Sequence, residues 1–172
     1  MRKHLFIPSK MDYVRGKRPK VECILCAIIV HDSRVVDTCV YNNSMVTVAL
    51  NLYPYNPGHL MVFPNRHIED LAELSSDEVM EMHRLAILSM KIIRELYHSQ
   101  GFNIGYNLGE AAGASIKHLH LHIVPRFRNE LGFIDIIAGS KIFVEDPAQA
   151  MIKLRKAFLK EKKEKEKLNG II

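Results

Sequence analysis

The pattern of apolar, β-branched and turn-forming residues first predicts an antiparallel hairpin. Residues 35–41 and 45–52 are rich in β-branched side chains, which is typical of strands, and a turn-prone Asn-Asn-Ser sequence separates them. The next segment, YPYNPG, has a composition that breaks both helix and strand. The apolar run 59–64 then predicts a third strand, which ends at Pro64 because proline cannot donate to a sheet.

Two helices are predicted by apolar residues that recur near every 3.6 positions. The first begins at Ser75, because Ser75 and Glu78 have the spacing of a capping box, and Gly101 is a natural stop. Its apolar residues are Val79, Met82, Leu85, Ala86, Ile93 and Leu96. The second begins near Asp146, the expected cap, with Pro147 in the first helical position. Its apolar residues are Met151, Ile152, Leu154, Phe158 and Leu159.

Two more strands are expected at residues 102–108 and 118–125, joined by the small-residue loop GEAAGASIK. Strands that follow one another through short turns, with single helices inserted, indicate an α+β fold. The expected architecture is an antiparallel sheet of about five strands with one long helix and a C-terminal helix. We divide the chain into an N-terminal arm at 1–22, a domain at 23–160 and a charged tail at 161–172.

Composition and charge narrow the functional classes. A chain of 172 residues with 48% apolar and 25% charged residues fits one globular domain. No run of about 18 uncharged apolar residues occurs, so we expect a soluble cytoplasmic protein without a membrane partner. Much of the net charge of +5 lies in a C-terminal segment that mixes Lys with Glu. Such a segment is typical of a solvated helix end or tail, so no nucleic-acid partner is expected.

The segment KHLHLHIVPR places His118, His120 and His122 at alternate positions. On a strand the three imidazoles share one face, whereas on a helix they scatter. The outer two lie ~13 Å apart along a strand, too far for all three to bind one small ion. We therefore predict that the three histidines have different roles along a water-facing groove. Neutral imidazoles can act there as nucleophile, base or metal ligand. The alternative is three exposed polar positions without a function.

The sequence HLHLHIVPR resembles the signature of the histidine triad family of nucleotidyl hydrolases and transferases. The resemblance extends from about Cys23 to Arg126. It is strongest to the branch that holds the fragile histidine triad hydrolases and the bacterial diadenosine tetraphosphate phosphorylases. The segments that resemble this branch are NLYPYNPGHLMVFPNRH, GFNIGYNLG and IAGSK.

The resemblance implies a ping-pong reaction on small-molecule nucleotides, with diadenosine polyphosphates as the preferred substrates. His120 would attack the α-phosphorus to form a nucleotidyl-histidine, and His122 would bind the phosphate and stabilise its oxygens. The resemblance also implies a homodimer with one continuous sheet. Three alternatives stay open: a phosphorolytic diadenosine tetraphosphate phosphorylase, an adenylyl phosphoramidase, and a non-catalytic module that binds adenine nucleotides.

The same resemblance assigns nucleotide-binding residues. Asn107, Gly113 and Ser115 match the loop that contacts phosphate, Asn51 matches a ribose contact, and His59 matches a histidine that lines the nucleotide pocket. Taken singly, Asn51 is equally explained as a strand-end cap and Ser115 as a turn residue.

Two departures leave the acceptor open between water and phosphate. Ala114 stands before Ser115, where the fragile histidine triad hydrolases have a Gln, and alanine cannot hydrogen-bond a phosphate. The segment after the signature, RFRNELGFID, lacks the Trp-Gly-Gly-Asp run of the phosphorylases.

A metal site is predicted from a second set of residues. Cys23 and Cys26 have a spacing that indicates metal or redox chemistry, whereas Cys39 lies in a strand pattern and is interpreted as core packing. Together with His67 and His118 they supply two thiolates and two imidazoles, which suit tetrahedral zinc. His67 stands where zinc-bearing relatives have a ligand. The alternative is that both cysteines are core thiols and that His67 caps the next helix.

Overall fold

The computed structural model describes residues 19–128, Glu130 and residues 145–169. Most of the predicted arm and the IAGSK segment lie outside these residues. The elements in chain order are α1 (Ile24–Ile29), β1 (Cys39–Asn42), β2 (Val46–Leu50), β3 (Leu60–Pro64), α2 (Ser76–Tyr97), β4 (Gly101–Tyr106), β5 (Leu121–Arg126) and α3 (Pro147–Asn169). The strands form an antiparallel sheet of order β1-β2-β3-β5-β4, which confirms the predicted α+β fold.

Both faces of the central strands are covered. One face packs against α2 and α3 in a core that includes Val48, Val62 and Leu121. The opposite face packs against α1 through Met61 and Phe63. Every residue of β2 and β3 is buried, which explains why these strands read as continuous apolar runs.

The long helix begins where the capping box predicts and ends earlier than predicted. Ser75 Oγ accepts from Glu78 N at 3.2 Å, and Ser75 N donates to the Glu78 carboxylate at 2.9 Å. The C-terminal stop is His98, which adopts a left-handed conformation at φ 54° and donates its N–H to the Arg94 carbonyl. The prediction of Gly101 as the stop was wrong, because Gly101 already begins β4.

The buried face of each of the two long helices contains fewer apolar residues than the sequence pattern predicted. Val79 and Leu96 of α2 and Ile152 and Leu159 of α3 are exposed, because they lie beside the buried stripe rather than in it. The remaining apolar residues predicted for the two helices are buried.

Helix α3 begins as predicted, and the charged segment continues it. The side chain of Asp146 accepts from Ala148 N at 2.9 Å, so Asp146 caps the first turn before Pro147. The helix then runs through the Lys- and Glu-rich segment to Asn169. None of the helices in the described part of the chain is both long and apolar enough to cross a lipid bilayer.

The histidine row differs from its prediction in two ways. Strand β5 begins at Leu121, so His118 and His120 lie in the segment before the strand, where His118 is part of a bend, and of the three only His122 is in the strand. The prediction of a water-facing row was wrong, since His118 and His120 are 1% and 6% exposed. The cause is the cover on this face, where α1 and the residues before it pack against Met61 and Phe63.

Candidate active site and metal-binding cluster

His118 turns its ring away from His120, toward the N-terminal cysteines. Its Nδ1 lies 3.4 Å from Cys23 Sγ and 3.5 Å from Cys26 Sγ. Its Nε2 donates to the backbone carbonyl of Pro64 at 2.9 Å, which leaves the Nδ1 lone pair facing the sulfur atoms. Burial lowers the pKa of His118 to about 4, so the imidazole is neutral at pH 7.

The fourth member of this group is His67, whose Nδ1 lies 3.3 Å from Cys26 Sγ. One ligand atom from each of Cys23, Cys26, His67 and His118 lies within 4.8 Å of all the others, so the four residues could hold a metal ion. Tetrahedral zinc with ordinary Zn–S and Zn–N bonds has S···N edges of about 3.6 Å. The three S···N distances, 3.3–3.5 Å, are close to that edge.

Three parts of the chain meet at this cluster. Cys23 is the N-cap of α1, where its Sγ accepts from Cys26 N at 3.4 Å, so both thiols lie at the first turn. His67 follows the end of β3 and does not cap the next helical turn, because Asp70 has that role. Cys39 is buried in β1, as predicted, and is not a member of the cluster.

The Cys26 thiol is protonated when no metal is bound. Burial and the neighbouring Cys23 side chain raise the pKa of the Cys26 thiol to about 11. A divalent cation that binds here would therefore have to displace the proton of this thiol.

His120 is oriented by the main chain. Its Nδ1–H donates to the backbone carbonyl of His118 at 2.6 Å. Because Nδ1 carries the proton, Nε2 keeps its lone pair and is the nucleophilic nitrogen of this ring. Burial lowers the pKa of His120, which favours the neutral, nucleophilic form.

His122 is part of a series of hydrogen bonds that fixes its tautomer. The backbone N–H of Tyr55 donates to Nδ1 of His59 at 3.1 Å, so the proton of neutral His59 is on Nε2. Nε2 of His59 lies 3.0 Å from Nδ1 of His122, which must therefore accept. His122 is left with its proton on Nε2, as a hydrogen-bond donor. Asn107 Nδ2 lies 3.3 Å from that atom, so this tautomer requires the Asn107 amide to be turned over, with its oxygen in the place of Nδ2.

Both imidazoles of this series are neutral at pH 7. Burial, together with the neighbouring His122 and His120, lowers the pKa of His59 to about 3. Burial likewise lowers the pKa of His122 to about 4. The ring centroids of His120 and His122 are 4.7 Å apart and the ring planes are nearly perpendicular, so the two imidazoles are direct neighbours.

Among the described residues, no hydrogen bond joins Asn51, Gly113 or Ser115 to His120 or His122. Asn51 accepts from Tyr53 N at 2.9 Å, which is the strand-end capping contact. Gly113 has a φ of 89°, a left-handed conformation that glycine adopts without strain. Ser115 is exposed and lines a cavity of about 300 Å³ together with Ile24, Glu110 and other residues. Neither Gly113 nor Ser115 forms a side-chain contact with the imidazoles in the described part of the chain.

Two residues that support the candidate active site, Tyr55 and Asn56, could not be identified as functional from the sequence. Tyr55 stacks on His59 with ring centroids 5.1 Å apart, besides donating its N–H to that ring. Asn56 is buried and connects the loop before His59 to β5. The only signal in the sequence was the YPYNPG segment, whose composition breaks both helix and strand. Arg126 pairs with Glu130 at 2.8 Å, so it is a structural residue of the strand end.

A model of the HIT domain matches residues 33–129. A Mycobacterium tuberculosis protein named AP-4-A phosphorylase is 44% identical over 104 residues, which are 60% of this chain and 53% of that protein. A Schizosaccharomyces pombe protein named bis(5'-nucleosyl)-tetraphosphatase (asymmetrical) is 28% identical over 97 residues, which are 56% of this chain and 53% of that protein. In both cases the chain matches about half the length of the relative.

Among solved structures, a zinc-bound histidine triad family protein from Mycobacterium smegmatis superimposes with a TM-score of 0.67. It is 28% identical, and the superposition covers 83% of this chain and 96% of that one. The model match, the relatives and this structure all agree with the family that the histidine signature indicated.

Proposed function

The chain belongs to the histidine triad (HIT) family, and we propose that it cleaves diadenosine tri- and tetraphosphates at the α-phosphorus through a nucleotidyl-histidine intermediate on His120. Relatives named as a phosphorylase and as a hydrolase support an enzyme that acts on dinucleoside polyphosphates. The observation that carries the proposal is the 2.6 Å hydrogen bond from His120 Nδ1 to the His118 carbonyl, which leaves Nε2 as the nucleophile.

In the first half-reaction, the Nε2 lone pair of His120 forms a bond to the α-phosphorus. The bond from that phosphorus to its bridging oxygen breaks, and the electron pair leaves with the polyphosphate group. A neutral imidazole suits this step, because burial keeps the pKa of His120 below its ordinary value. The nucleotidyl group is then transferred from His120 to an acceptor, which regenerates the free imidazole.

His122 supports both half-reactions as a hydrogen-bond donor. Its Nε2–H would point to an oxygen of the α-phosphate, where negative charge grows in the transition state. His59 does not reach the phosphate in this scheme, since its two ring nitrogens bind Tyr55 N and His122. Its role is to keep the proton of His122 on Nε2.

The remaining nucleotide contacts come from loops. Asn107 and Ser115 provide an amide and a hydroxyl for phosphate, and Gly113 allows the backbone to approach it. Asn51 has its oxygen on Tyr53 N, so its amide N–H₂ is the group for the ribose. These assignments follow the family pattern residue by residue.

Zinc is the metal that best fits the cluster of Cys23, Cys26, His67 and His118. Four protein ligands close a tetrahedral site, so a bound zinc ion would stabilise the fold and would have no open position for water. On the protein side, Pro64 accepts from His118 and so keeps Nδ1 available to the metal. The zinc-bound Mycobacterium smegmatis structure supports this choice of metal.

Product analysis tests the reaction and identifies the acceptor. The purified chain is incubated with diadenosine tetraphosphate with and without inorganic phosphate. AMP and ATP without phosphate identify a hydrolase, whereas ADP that forms only with phosphate identifies a phosphorylase. Ala114 and the 44% identical relative favour phosphorolysis as the second candidate. Tight binding of the dinucleotide without any product would contradict an enzyme and favour a binding module.

A homodimer is part of the same proposal. Strand β4 is at the edge of the sheet and presents no partner strand on its outer side among the described residues. Ile104, near its middle, is 47% exposed. An exposed edge with an apolar residue suits pairing with a second copy of the strand.

A further inference from the structure

A buried amide supports the loop between β2 and β3. Asn56 is 2% exposed, and its Nδ2 donates to the backbone carbonyl of Pro125 at 2.6 Å and to Glu130 at 3.2 Å. Pro125 belongs to β5, the strand that carries His122. The side chain of Asn56 therefore ties this loop directly to the strand of the phosphate-side histidine.

The backbone on both sides of Asn56 contacts His59. The N–H of His59 donates to the Asn56 carbonyl at 3.1 Å, and the N–H of Tyr55 donates to the His59 ring at 3.1 Å. The loop therefore contacts both the backbone N–H and the ring of His59, and the contact with the ring sets its tautomer. Any movement of the loop relative to β5 would change the 3.0 Å contact between the rings of His59 and His122.

Further hydrogen bonds stabilise the end of β5, where the Asn56 side chain binds. Oε1 of Glu130 accepts from Arg126 Nε at 2.8 Å and from Phe127 N at 2.6 Å, in addition to Asn56. Arg126 Nη1 also donates to Asn103 of β4 at 2.6 Å. The network joins the loop, the end of β5 and the edge strand.

We propose that Asn56 is a positioning residue, which holds the loop in register with β5 so that His59 presents its Nε2–H to Nδ1 of His122. The inference rests on the proposed function, because it concerns the donor that His122 supplies to the phosphate. The geometry is sensitive, since a hydrogen bond of 3.0 Å is lost when its partners separate by about 1 Å.

A merely structural role would give a different result. If Asn56 only caps a turn, its loss lowers stability and leaves the tautomers of the folded protein unchanged. If it positions His59, its loss frees His122 to place its proton on either nitrogen. Histidine tautomers are read by long-range ¹H–¹⁵N correlation in the folded, substrate-free protein, a measurement that does not depend on turnover.

The first arm of the test is the wild-type spectrum. We expect His59 and His122 as Nε2–H tautomers, with His120 as the opposite, Nδ1–H tautomer and therefore an internal reference. A wild-type spectrum with His122 protonated on Nδ1 would overturn the proposal without any variant.

The second arm compares Asn56→Ala and Asn56→Asp with Asn103→Ala as the control. Asn103 is on the same polar network, where its side chain accepts from Arg126 at the end of β5. In Asn56→Asp a carboxylate replaces the donor and faces the Pro125 carbonyl, so the same loss is expected with little change in shape. Both Asn56 variants should populate the two tautomers of His122, and Asn103→Ala should keep one.

Kinetics with diadenosine tetraphosphate completes the test. We expect kcat to fall about 10- to 100-fold in the Asn56 variants and KM to change by less than about 2-fold. A normal His122 tautomer in both variants would overturn the proposal, whether or not kcat falls. If the wild type shows the expected tautomers but no turnover, the proposed function fails, and the tautomers still decide the role of Asn56.

Discussion

The backbone carbonyl of His118 accepts a hydrogen bond from His120 at 2.6 Å, while the ring of the same His118 faces the sulfur atoms of Cys23 and Cys26. One residue thus links the candidate metal cluster to the candidate nucleophile. The contacts that fix the His118 ring therefore also help to fix its backbone carbonyl, which sets the tautomer of His120.

The first prediction concerns metal content. Protein purified without added metal should contain about one zinc per chain, and Cys26→Ser should lose it. We expect Cys26→Ser to lose about 3 kcal/mol of stability, which lowers Tm by about 6–12 °C. Metal analysis and thermal unfolding measure both effects. Cys39→Ala is the matched control, because Cys39 is buried outside the cluster and its variant should keep the metal.

The second prediction concerns His59. His59→Ala removes the group that keeps the proton of His122 on Nε2, so kcat should fall about 100-fold. KM should change little, because both ring nitrogens of His59 bind protein atoms. His59→Gln should recover part of kcat, since its amide N–H can occupy the place of Nε2–H. Steady-state kinetics would contradict this role if KM rose sharply while kcat was unchanged.

The third prediction is a pH dependence of stability. Arg66 binds the buried carboxylate of Glu78 at 2.7 Å and lowers its pKa to about 2, from 4.5. Because the pKa is lower in the folded state, this stabilisation is complete above about pH 4.5 and is lost as pH falls through 2. Glu78→Gln keeps the capping contact to Ser75 but loses the ion pair.

At pH 7 we therefore expect Glu78→Gln to unfold about 2–4 °C below the wild type. The difference should narrow as the pH falls from 4.5 toward 2. Glu95→Gln, at an exposed position of the same helix, is the control and should match the wild type. A difference in Tm that stays constant from pH 7 to pH 2 would contradict the assignment.

The fourth prediction concerns the edge strand. Ile104→Lys places a charge in the proposed dimer interface, so light scattering at micromolar concentration should show a dimer for the wild type and a monomer for the variant. Ile152→Lys is the control, because Ile152 is 61% exposed on α3 and lies away from β4. A monomeric wild type, or equal masses in all three proteins, would argue against dimerisation through β4.

The sequence was most informative where one local interaction decides the structure. Ser75 and Glu78 form the predicted capping box, Asp146 caps α3 as predicted, and the hairpin turns at the Asn-Asn-Ser sequence. These features depend on neighbours within a few residues, so the pattern of the chain contains them.

Other features depend on contacts between distant segments. The His118 ring lies against Cys23 and Cys26 at the start of α1, a six-residue helix that has too few residues for a periodic pattern. The hydrogen bond between Asn56 and Pro125 joins residues 69 positions apart. The site residues were found through the family signature, whereas the tautomers that give them distinct roles required the partners of each ring nitrogen.

The most direct test of the central claim is to trap the nucleotidyl-histidine. The chain is mixed with dinucleotide labelled at the α-phosphate, quenched in alkali, and digested to locate acid-labile label by mass spectrometry. We predict label on the peptide that contains His120, its loss in His120→Ala, and its retention in the exposed control His83→Ala. Turnover without label on His120, or equal label in His120→Ala, would contradict the mechanism.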